Sequence, residues 1–306
     1  IIVPAISWST TYFPLSQFGL IQKFVDVDRA TLNYDLDQLR SAISPKTRAI
    51  MIVNLLGNPN DFRAINDMID GKNIVLMEDN CESMGAQFED KFTGTFGKVG
   101  SFSSFFSHHI STMEGGMVVT DDEELHHIML SLRAHGWTRN LPQKNFVSGQ
   151  KNPDAFDESF KFVLPGYNLR PLEMSGAIGR EQLKKLPTLI EGRRDNARVF
   201  QEKLSCSKHF TLQREIGKSS WFGFSLTLKQ DSELVRSDFI KKLNNLGFEC
   251  RPIVAGNFTK QPVMRHMKHE IHGDLANADF IDRQGLFIGN HHYEIAEAAE
   301  VIKNVF

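Results

Sequence analysis

Strand-sized apolar runs alternate with helical stretches through the first half of the chain, and this alternation constrains the fold more than any other feature. Strands are predicted at residues 23–27, 49–54 and 73–78, and helices at 35–42 and 61–70. A repeat of this kind is typical of α/β proteins, in which helices cover a mostly parallel sheet. We therefore predict an α/β fold.

The middle of the chain, residues 117–204, is predicted to be mainly helical, with one strand and one loop. A strand at 117–120 and an acid-led helix at 121–135 are followed by residues 143–158, which we predict to be an exposed loop. Residues 171–204 have helical spacing, and we expect an interruption near Pro187, because proline removes a helix hydrogen bond.

The C-terminal part has a strand at 221–228 and helices at 233–246 and 295–305, which is an α+β pattern. We therefore predict two domains. The large one, with the parallel sheet, spans residues 1–185, and a smaller C-terminal α+β domain spans 186–306.

Charge and hydropathy narrow the range of partners. The 306 residues carry a formal net charge of −2, and acidic and basic residues are mixed along the chain. A nucleic-acid surface usually shows a clustered basic stripe instead. The longest apolar runs, such as residues 50–53, are too short to span a bilayer. We therefore expect no nucleic-acid partner and no membrane partner.

Cysteine usage bears on the compartment. Cys81, Cys206 and Cys250 are far apart and odd in number, which disfavours a disulfide framework. No signal peptide is visible, so we predict a cytoplasmic protein. The chain opens directly on the apolar residues 1–4, and we expect further chain upstream of Ile1.

Acidic residues follow the strand predicted at 73–78, in the run EDNCES at 78–83. Acids at the carboxyl end of a parallel strand point into the crevice where α/β proteins bind ligands. A carboxylate such as Asp79 can keep the ring nitrogen of a heterocycle protonated, as a pyridinium electron sink requires. The alternative is that Asp79 or Ser83 caps a helix, and this run alone favours capping.

Residues 100–117, GSFSSFFSHHISTMEGGM, alternate hydroxyl and aromatic side chains and lead to a histidine pair. Ser103 has the chemistry to donate a hydrogen bond to a phosphate, and His108 can move a proton near neutral pH. The glycines that follow allow close approach of the backbone. The structural alternative is a β-hairpin with a hydroxyl-rich edge.

Together the two runs resemble the DegT/DnrJ/EryC/StrS sugar aminotransferases, a pyridoxal-phosphate-dependent family. Further matches follow in the same order at residues 2–5, 24–28, 45–50, 114–122 and 166–170. The resemblance covers essentially the whole chain. It implies the aspartate aminotransferase fold (fold type I of pyridoxal-phosphate enzymes).

One position departs from the family pattern. In the family, a lysine that binds the cofactor aldehyde covalently lies five residues after the phosphate-binding serine and six before the acid of the Glu-Gly-Gly run. Counting from Ser103 and from Glu114 gives His108 both times, and no lysine lies between Lys98 and Arg133. Histidine forms no stable imine, and its pKa of about 6.5, against about 10.4 for lysine, suits a reversible proton carrier. The resemblance makes His108 the catalytic residue.

A small branch of the family has this replacement and removes the C3 hydroxyl of 4-keto-6-deoxy nucleotide sugars. One of its enzymes acts on a CDP-sugar and holds an iron–sulfur cluster, and another acts on a GDP-sugar in colitose (O-antigen) biosynthesis without iron. A [2Fe–2S] cluster takes about four cysteine ligands, and this chain has three scattered cysteines. The cysteine count therefore predicts no iron–sulfur cluster, and no other metal is expected. Residues 54–59 and 133–140 also look very close to the enzyme that acts on the GDP-sugar. The resemblance thus implies the GDP-sugar reaction.

The implied cofactor is pyridoxal phosphate, cycling with pyridoxamine phosphate. The implied reaction releases ammonia and a 3-deoxy keto-sugar, and L-glutamate restores the amine form of the cofactor. His108 takes a proton from the cofactor and returns it to the leaving hydroxyl. A sugar aminotransferase, a CDP-sugar 3-dehydratase and an inactive nucleotide-sugar-binding relative are the alternatives.

The resemblance also implies roles for further residues. Asp79 matches the acid that pairs with the pyridine nitrogen, and Ser103 matches the serine that contacts the phosphate. Asn168 matches the asparagine that reaches the phosphate bound in the partner subunit, which implies a homodimer with shared active sites. Glu82 stands where most of the family has glutamine or histidine beside the ring oxygen. Trp8 stands where a ring stacks on the cofactor, and core packing is its alternative.

Substrate contacts are implied for Arg251, whose guanidinium suits phosphate or carboxylate, and for His135 and Arg139. Each of them can instead be an ordinary surface side chain. The pair Asp26 and Asp28 resembles the metal-binding Asp-X-Asp of some glycosyltransferases, but the family pattern explains it as a strand end. Adjacent histidines on a strand point to opposite faces, so the histidine pairs predict no metal site.

Overall fold

The computed structural model describes residues 1–305. Its strands are β1 Ile2–Pro4, β2 Gln22–Val25, β3 Ala49–Val53, β4 Val75–Asp79, β5 Gln87–Phe88, β6 Lys91–Phe92, β7 Val99–Ser103, β8 Gly116–Val119, β9 Lys144–Asn145, β10 Gly149–Gln150, β11 Phe210–Leu212, β12 Gly223–Leu228, β13 Cys250–Arg251, β14 His269–Ile271 and β15 Gly285–Gly289. Its α-helices are α1 Ser9–Gln17, α2 Leu36–Ala42, α3 Phe62–Ile69, α4 Glu123–Leu132, α5 Ala155–Glu158, α6 Glu173–Leu204, α7 Arg236–Asn245, α8 Ala276–Gln284 and α9 Ala296–Val305.

The main sheet has seven strands in the order β14-β2-β1-β3-β4-β7-β8. All neighbours in it are parallel except β8, which runs antiparallel to β7. The prediction of a mostly parallel α/β sheet is confirmed. Because parallel strands end at the same edge, the ends of β1, β3, β4 and β7 lie along one rim, and that rim carries Asp79 and Ser103.

Both faces of the central strands β1, β2 and β3 are buried, as expected inside a parallel sheet, whereas the edge strands β8 and β14 are exposed. Alternate residues of β3 point to opposite faces. Ile50 and Ile52 belong to the core under α2 and α3, whereas Val53 belongs to the core under α1 and α8. This second core also takes Phe258 and Ile281 from the C-terminal part of the chain.

Acidic caps set the starts of three helices. Asp35 accepts the backbone N–H groups of residues 37 and 38 at the start of α2, Asp61 accepts that of Ala64 in α3, and Asp122 accepts that of Leu125 in α4. A cap of this kind contributes about 1 kcal/mol. The helices predicted at 35–42, 61–70 and 121–135 are therefore confirmed, with α4 ending three residues earlier than predicted.

The second sheet is antiparallel, with the order β11-β12-β15-β13. Its core includes Phe200 of α6, Phe239 of α7 and Ile302 of α9, so the predicted α+β pattern of the C-terminal part is confirmed. One C-terminal strand, β14, joins the main sheet beside β2 instead. The domain bounds 1–185 and 186–306 stay a prediction.

Two local expectations are wrong. Helix α6 runs unbroken through Pro187 for 32 residues. A proline inside a helix removes one backbone hydrogen bond, and in α6 this loss does not end the helix. Residues 143–158 are mostly exposed, as predicted, but they are not an irregular loop, because they contain the hairpin β9–β10 and the helix α5. The Asn145 side chain accepts two backbone N–H groups in that hairpin's turn, and Asp154 caps α5. No helix within residues 1–305 combines the length and the apolar composition needed to cross a membrane.

Candidate active site

Asp79 lies at the carboxyl end of β4 and is half-buried. Its Oδ2 accepts a 2.6 Å hydrogen bond from the hydroxyl of Thr11 in α1, and its Oδ1 accepts the backbone N–H of Cys81 at 3.2 Å. Neither Asp79 nor Ser83 caps a helix, so the capping alternative is wrong; the Ser83 hydroxyl donates to the carbonyl of Asn54. Asp79 is thus held from two sides at the rim of the sheet.

Glu82 lies three residues after Asp79, in the loop that follows β4. Its Oε2 accepts the backbone N–H of Leu56 at 2.9 Å, and Leu56 adopts a left-handed conformation with φ of 53°. Burial raises the pKa of Glu82 to about 7, and the negative charge of Asp79 acts in the same direction. Burial and Asp79 also raise the pKa of the Cys81 thiol. Glu82 can therefore be a neutral acid near pH 7 and donate a hydrogen bond.

Glu78, the residue before Asp79, is buried, and the sequence did not single it out as a functional residue. Its carboxylate accepts the backbone N–H groups of Gly94, Phe96 and Gly97 at 2.6, 2.6 and 2.7 Å. Burial raises the pKa of Glu78, while these hydrogen bonds oppose the shift. Glu78 fixes the segment between β4 and β7. The only sequence signal was its place next to Asp79.

Ser103 is the last residue of β7, the strand that neighbours β4. Its Oγ accepts the backbone N–H of Phe105 at 3.2 Å, which leaves its own proton free to donate. The loop that follows is closed by Ser104, whose N–H donates to the carbonyl of Gly115 and whose carbonyl accepts the N–H of Thr112. Strands β7 and β8 pair as the hairpin alternative predicted, and the loop between them carries His108.

His108 is half-buried, and its ring lies against Phe222 and Phe105, at centroid distances of 5.1 and 5.9 Å. Its Nδ1 is buried and has no partner within residues 1–305, whereas Nε2 is not enclosed and makes no hydrogen bond there. Burial lowers the pKa of His108; the charge of Asp79 opposes this shift and that of Arg193 adds to it. His108 is therefore a neutral base at pH 7, with Nε2 open to a ligand.

Two buried neighbours of His108 were also missed. The Nε2 of His109 lies 3.1 Å from the carbonyl oxygen of Ser220, which can only accept, so Nε2 carries the proton. Burial and the charge of Arg193 lower the pKa of His109 to about 3. Arg193 donates to the carbonyls of Asn290 and Phe222, and burial lowers its pKa to about 10. At pH 7 His109 is neutral and Arg193 is charged.

Trp8 precedes α1, three residues before Thr11, and is 58% exposed. The core-packing alternative for Trp8 is therefore wrong, and its stacking on a cofactor stays a prediction. Asn168 is exposed and pairs through its backbone with Ala134. Its side chain makes no hydrogen bond within the described chain, so its role across a dimer stays a prediction.

The three predicted substrate residues make no contact with Asp79 or His108 within residues 1–305. Arg251 lies on the edge strand β13, where its guanidinium binds the carboxylate of Glu249 at 2.6 and 2.8 Å. His135 has a φ of 63°, and Arg139 lies over the ring of Trp137 at 3.7 Å. Their roles toward a substrate stay predictions.

The Asp-X-Asp pair has a structural role. Asp26 is buried, and its carboxylate accepts the backbone N–H groups of Asn277 and Ala278 at the start of α8, at 2.8 and 2.7 Å. Asp28 accepts those of Ala30 and Thr31 in the turn after β2. Both carboxylates are thus used within the fold.

The rim between Asp79, Ser103 and His108 fits pyridoxal phosphate. Asp79 forms no ion pair with any residue in 1–305, so a protonated pyridine would supply its missing cation. The free hydroxyl proton of Ser103 suits a phosphate, and the Nε2 of His108 is open beside them. The set of donors and acceptors is the one that this cofactor requires.

The sequence model of the DegT/DnrJ/EryC1/StrS aminotransferase family matches residues 1–306. The chain belongs to this family. Within the DegT/DnrJ/EryC1/StrS family it is similar to the GDP-4-keto-6-deoxy-D-mannose 3-dehydratase of Yersinia pseudotuberculosis, with 60% identity over 307 residues that cover 100% of this chain and 77% of that protein. The family prediction is confirmed.

Solved structures of the family agree. A crystal structure of GDP-4-keto-6-deoxymannose-3-dehydratase with a trapped PLP-glutamate geminal diamine has a TM-score of 0.98 and 57% identity, covering 99% of this chain and 79% of that chain. A variant of that enzyme with bound GDP-perosamine matches with the same TM-score, identity and coverage. The predicted aspartate aminotransferase-like fold is confirmed.

Proposed function

We propose that this protein removes the C3 hydroxyl of GDP-4-keto-6-deoxy-D-mannose, releases a 3-deoxy keto-sugar and ammonia, and uses pyridoxal phosphate with L-glutamate as amino donor. The observation that carries the proposal is His108. It stands where the family has its lysine, its Nε2 is open at the rim, and burial keeps it neutral. Similarity to dehydratases of this specificity, over the whole chain, supports the choice of substrate.

The bound cofactor supplies an electron sink for the cleavage of the C3–oxygen bond. Asp79 would hold the pyridine nitrogen protonated, with its own orientation fixed by Thr11 and by the Cys81 N–H. Ser103 would donate to the phosphate. Glu82, with a pKa of about 7, would donate a hydrogen bond to the ring oxygen.

His108 moves the proton. A neutral imidazole accepts a proton at Nε2, holds it as imidazolium, and returns it to the C3 oxygen as that group leaves. A group that must both take and return a proton works best when its pKa is near the working pH, and histidine meets this condition better than lysine. With no lysine at this position, nothing here retains the cofactor covalently, which disfavours the aminotransferase alternative.

An apolar surface supports the proposed homodimer. Strand β8 exposes Met117 and Val118, and the segment leading into α6 exposes Leu169, Leu172 and Met174. Groups of exposed apolar side chains such as these can mark an interaction surface. Asn168 lies in this segment, so a second copy seated here would bring Asn168 toward the neighbouring cofactor site. The three cysteines are free thiols, which fits a reducing cytoplasm.

The test uses the complete natural polypeptide with pyridoxal phosphate, L-glutamate and GDP-4-keto-6-deoxy-D-mannose. We expect ammonia and a 3-deoxy keto-sugar in equal amounts. A stable 4-amino sugar without ammonia would instead establish an aminotransferase. The CDP-linked sugar serves as the competing substrate, and faster turnover of that sugar would contradict the proposed specificity.

A further inference from the structure

Buried polar atoms without partners gather behind His108. Nine buried side-chain nitrogen or oxygen atoms in residues 1–305 have no hydrogen-bond partner. Four of them form what we call the Phe222 cluster: His108 Nδ1, His109 Nδ1, Arg193 Nε and Ser220 Oγ. Since buried polar atoms in proteins are nearly always hydrogen-bonded, such a concentration points to a shared partner.

Contacts with Phe222 and with the Ser220 carbonyl link the four residues. The rings of His108 and His109 lie 5.1 and 5.7 Å from that of Phe222, measured between centroids. Arg193 Nη1 donates to the carbonyl of Phe222 at 3.3 Å, and His109 Nε2 donates to that of Ser220 at 3.1 Å. The four residues are therefore linked through Phe222 and the carbonyl of Ser220, although they come from three distant parts of the sequence.

The cluster has the donors and acceptors that a water molecule needs. Arg193 Nε–H can only donate. His109 carries its proton on Nε2, so its Nδ1 can only accept, and the nearby charge of Arg193 disfavours a second proton there. Ser220 Oγ can do both. A buried water typically makes about three hydrogen bonds to such groups.

The state of His108 depends on this cluster. If the open Nε2 is to accept a proton, the single proton of the neutral ring must sit on Nδ1. A buried Nδ1–H requires an acceptor, and the cluster offers His109 Nδ1 and Ser220 Oγ. The charged groups that face His108, Asp79 from β4 and Arg193 from α6, are not acceptors for this proton in the structure.

We propose that the Phe222 cluster is a buried water site, and that His109 is a positioning residue whose Nδ1, through this water, holds His108 in the tautomer that leaves Nε2 free as a base. Only the catalytic consequence rests on the proposed function. The tautomer of His108 and the water site do not depend on which sugar is the substrate.

Two substitutions separate positioning from simple packing. His109→Asn keeps an acceptor near the place of Nδ1 and loses the contact with the Ser220 carbonyl. His109→Gln keeps a donor to that carbonyl and loses the acceptor. A purely structural role predicts that Gln is tolerated better than Asn, whereas the proposal predicts the reverse.

The direct measurement is the 15N spectrum of His108 in histidine-labelled protein at neutral pH, assigned by the signal that His108→Asn removes. We expect the Nδ1–H tautomer in the wild type and in His109→Asn, and loss of that preference in His109→Gln. The control is His127→Asn, since His127 is also buried but lies on α4. One tautomer population in all variants, or an Nε2–H tautomer in the wild type, would overturn the proposal.

Steady-state kinetics test whether the tautomer of His108 affects catalysis. Removing a group that orients an active-site histidine typically costs about 10-fold or more in activity. We expect His109→Gln to lose about this factor in kcat with an unchanged KM, and its pH–rate profile to shift, while His109→Asn stays near the wild type. If no variant turns over the sugar but the tautomers differ as expected, the proposed function fails and the water site stands. Equal kcat and equal pH profiles in both variants would contradict the positioning role.

Discussion

Glu82 makes the stability of the cofactor-free protein depend on pH in a definite direction. Its carboxyl is buried beside Asp79, and its pKa rises from 4.5 to about 7 in the folded chain. Between these values the folded state keeps a proton that the unfolded state releases. Stability is therefore highest below the unfolded pKa and falls as the pH rises toward the folded pKa.

The size of the effect follows from the shift. One pKa unit corresponds to about 1.4 kcal/mol, so the shift of Glu82 corresponds to roughly 3 kcal/mol of stability lost between about pH 4.5 and pH 7. Glu82→Gln removes this titration and keeps an oxygen for the N–H of Leu56. Its stability relative to the wild type should therefore rise by roughly 3 kcal/mol over the same window.

The assay is urea unfolding of both cofactor-free proteins at pH 5 and at pH 8. The matched control is Glu202→Gln, because Glu202 is exposed on α6, and its curve should keep the pH dependence of the wild type. The quantity to compare is the difference in the free energy of unfolding between Glu82→Gln and the wild type. If this difference changes by less than about 1 kcal/mol between pH 5 and pH 8, the burial argument is refuted. Glu82 would then be ionised at pH 7 and unable to donate to the ring oxygen.

Two further substitutions test the supports of the site. Glu78→Gln replaces one carboxylate oxygen by an NH₂ group, which faces the N–H of Gly94 if it takes the place of Oε2. The loss of this hydrogen bond should lower the free energy of unfolding by about 2–3 kcal/mol in urea titrations, and a loss below about 0.5 kcal/mol would contradict the role of Glu78. Gly115→Ala places a methyl group 2.7 Å from Thr112 Oγ1 and 2.8 Å from Ser104 Oγ. Thermal melting should therefore show a loss of about 1–3 kcal/mol in the free energy of unfolding. An unchanged melting curve would show that the loop carrying His108 tolerates displacement.

Much of the fold was predictable because its signals are local. The helices α2, α3 and α4 have acidic caps and apolar faces in their own sequence, and the strands between them are short apolar runs. Strand β14 gave no such signal. Its pairing with β2 joins residues nearly 250 positions apart, and no periodicity within residues 269–271 indicates which strand they meet.

The candidate site likewise contains some residues that the sequence indicates and others that it does not. Asp79, Ser103 and His108 were predictable because their spacing along neighbouring strand ends is fixed by the family pattern. The residues that support them, such as Glu78 and Arg193, were missed because their roles come from backbone groups that only the folded chain brings near. The role proposed for Asn168 requires a contact between subunits, which the sequence of one chain does not define.

The most direct test of the account compares wild type with His108→Asn in single-turnover reactions, using GDP-4-keto-6-deoxy-D-mannose and protein loaded with pyridoxamine phosphate. We measure ammonia release and cofactor binding in parallel. The account predicts that His108→Asn binds the cofactor as the wild type does and releases ammonia about 10²–10⁴ times more slowly. Release at the rate of the wild type would mean that another group moves the proton, and the role assigned to His108 would be wrong.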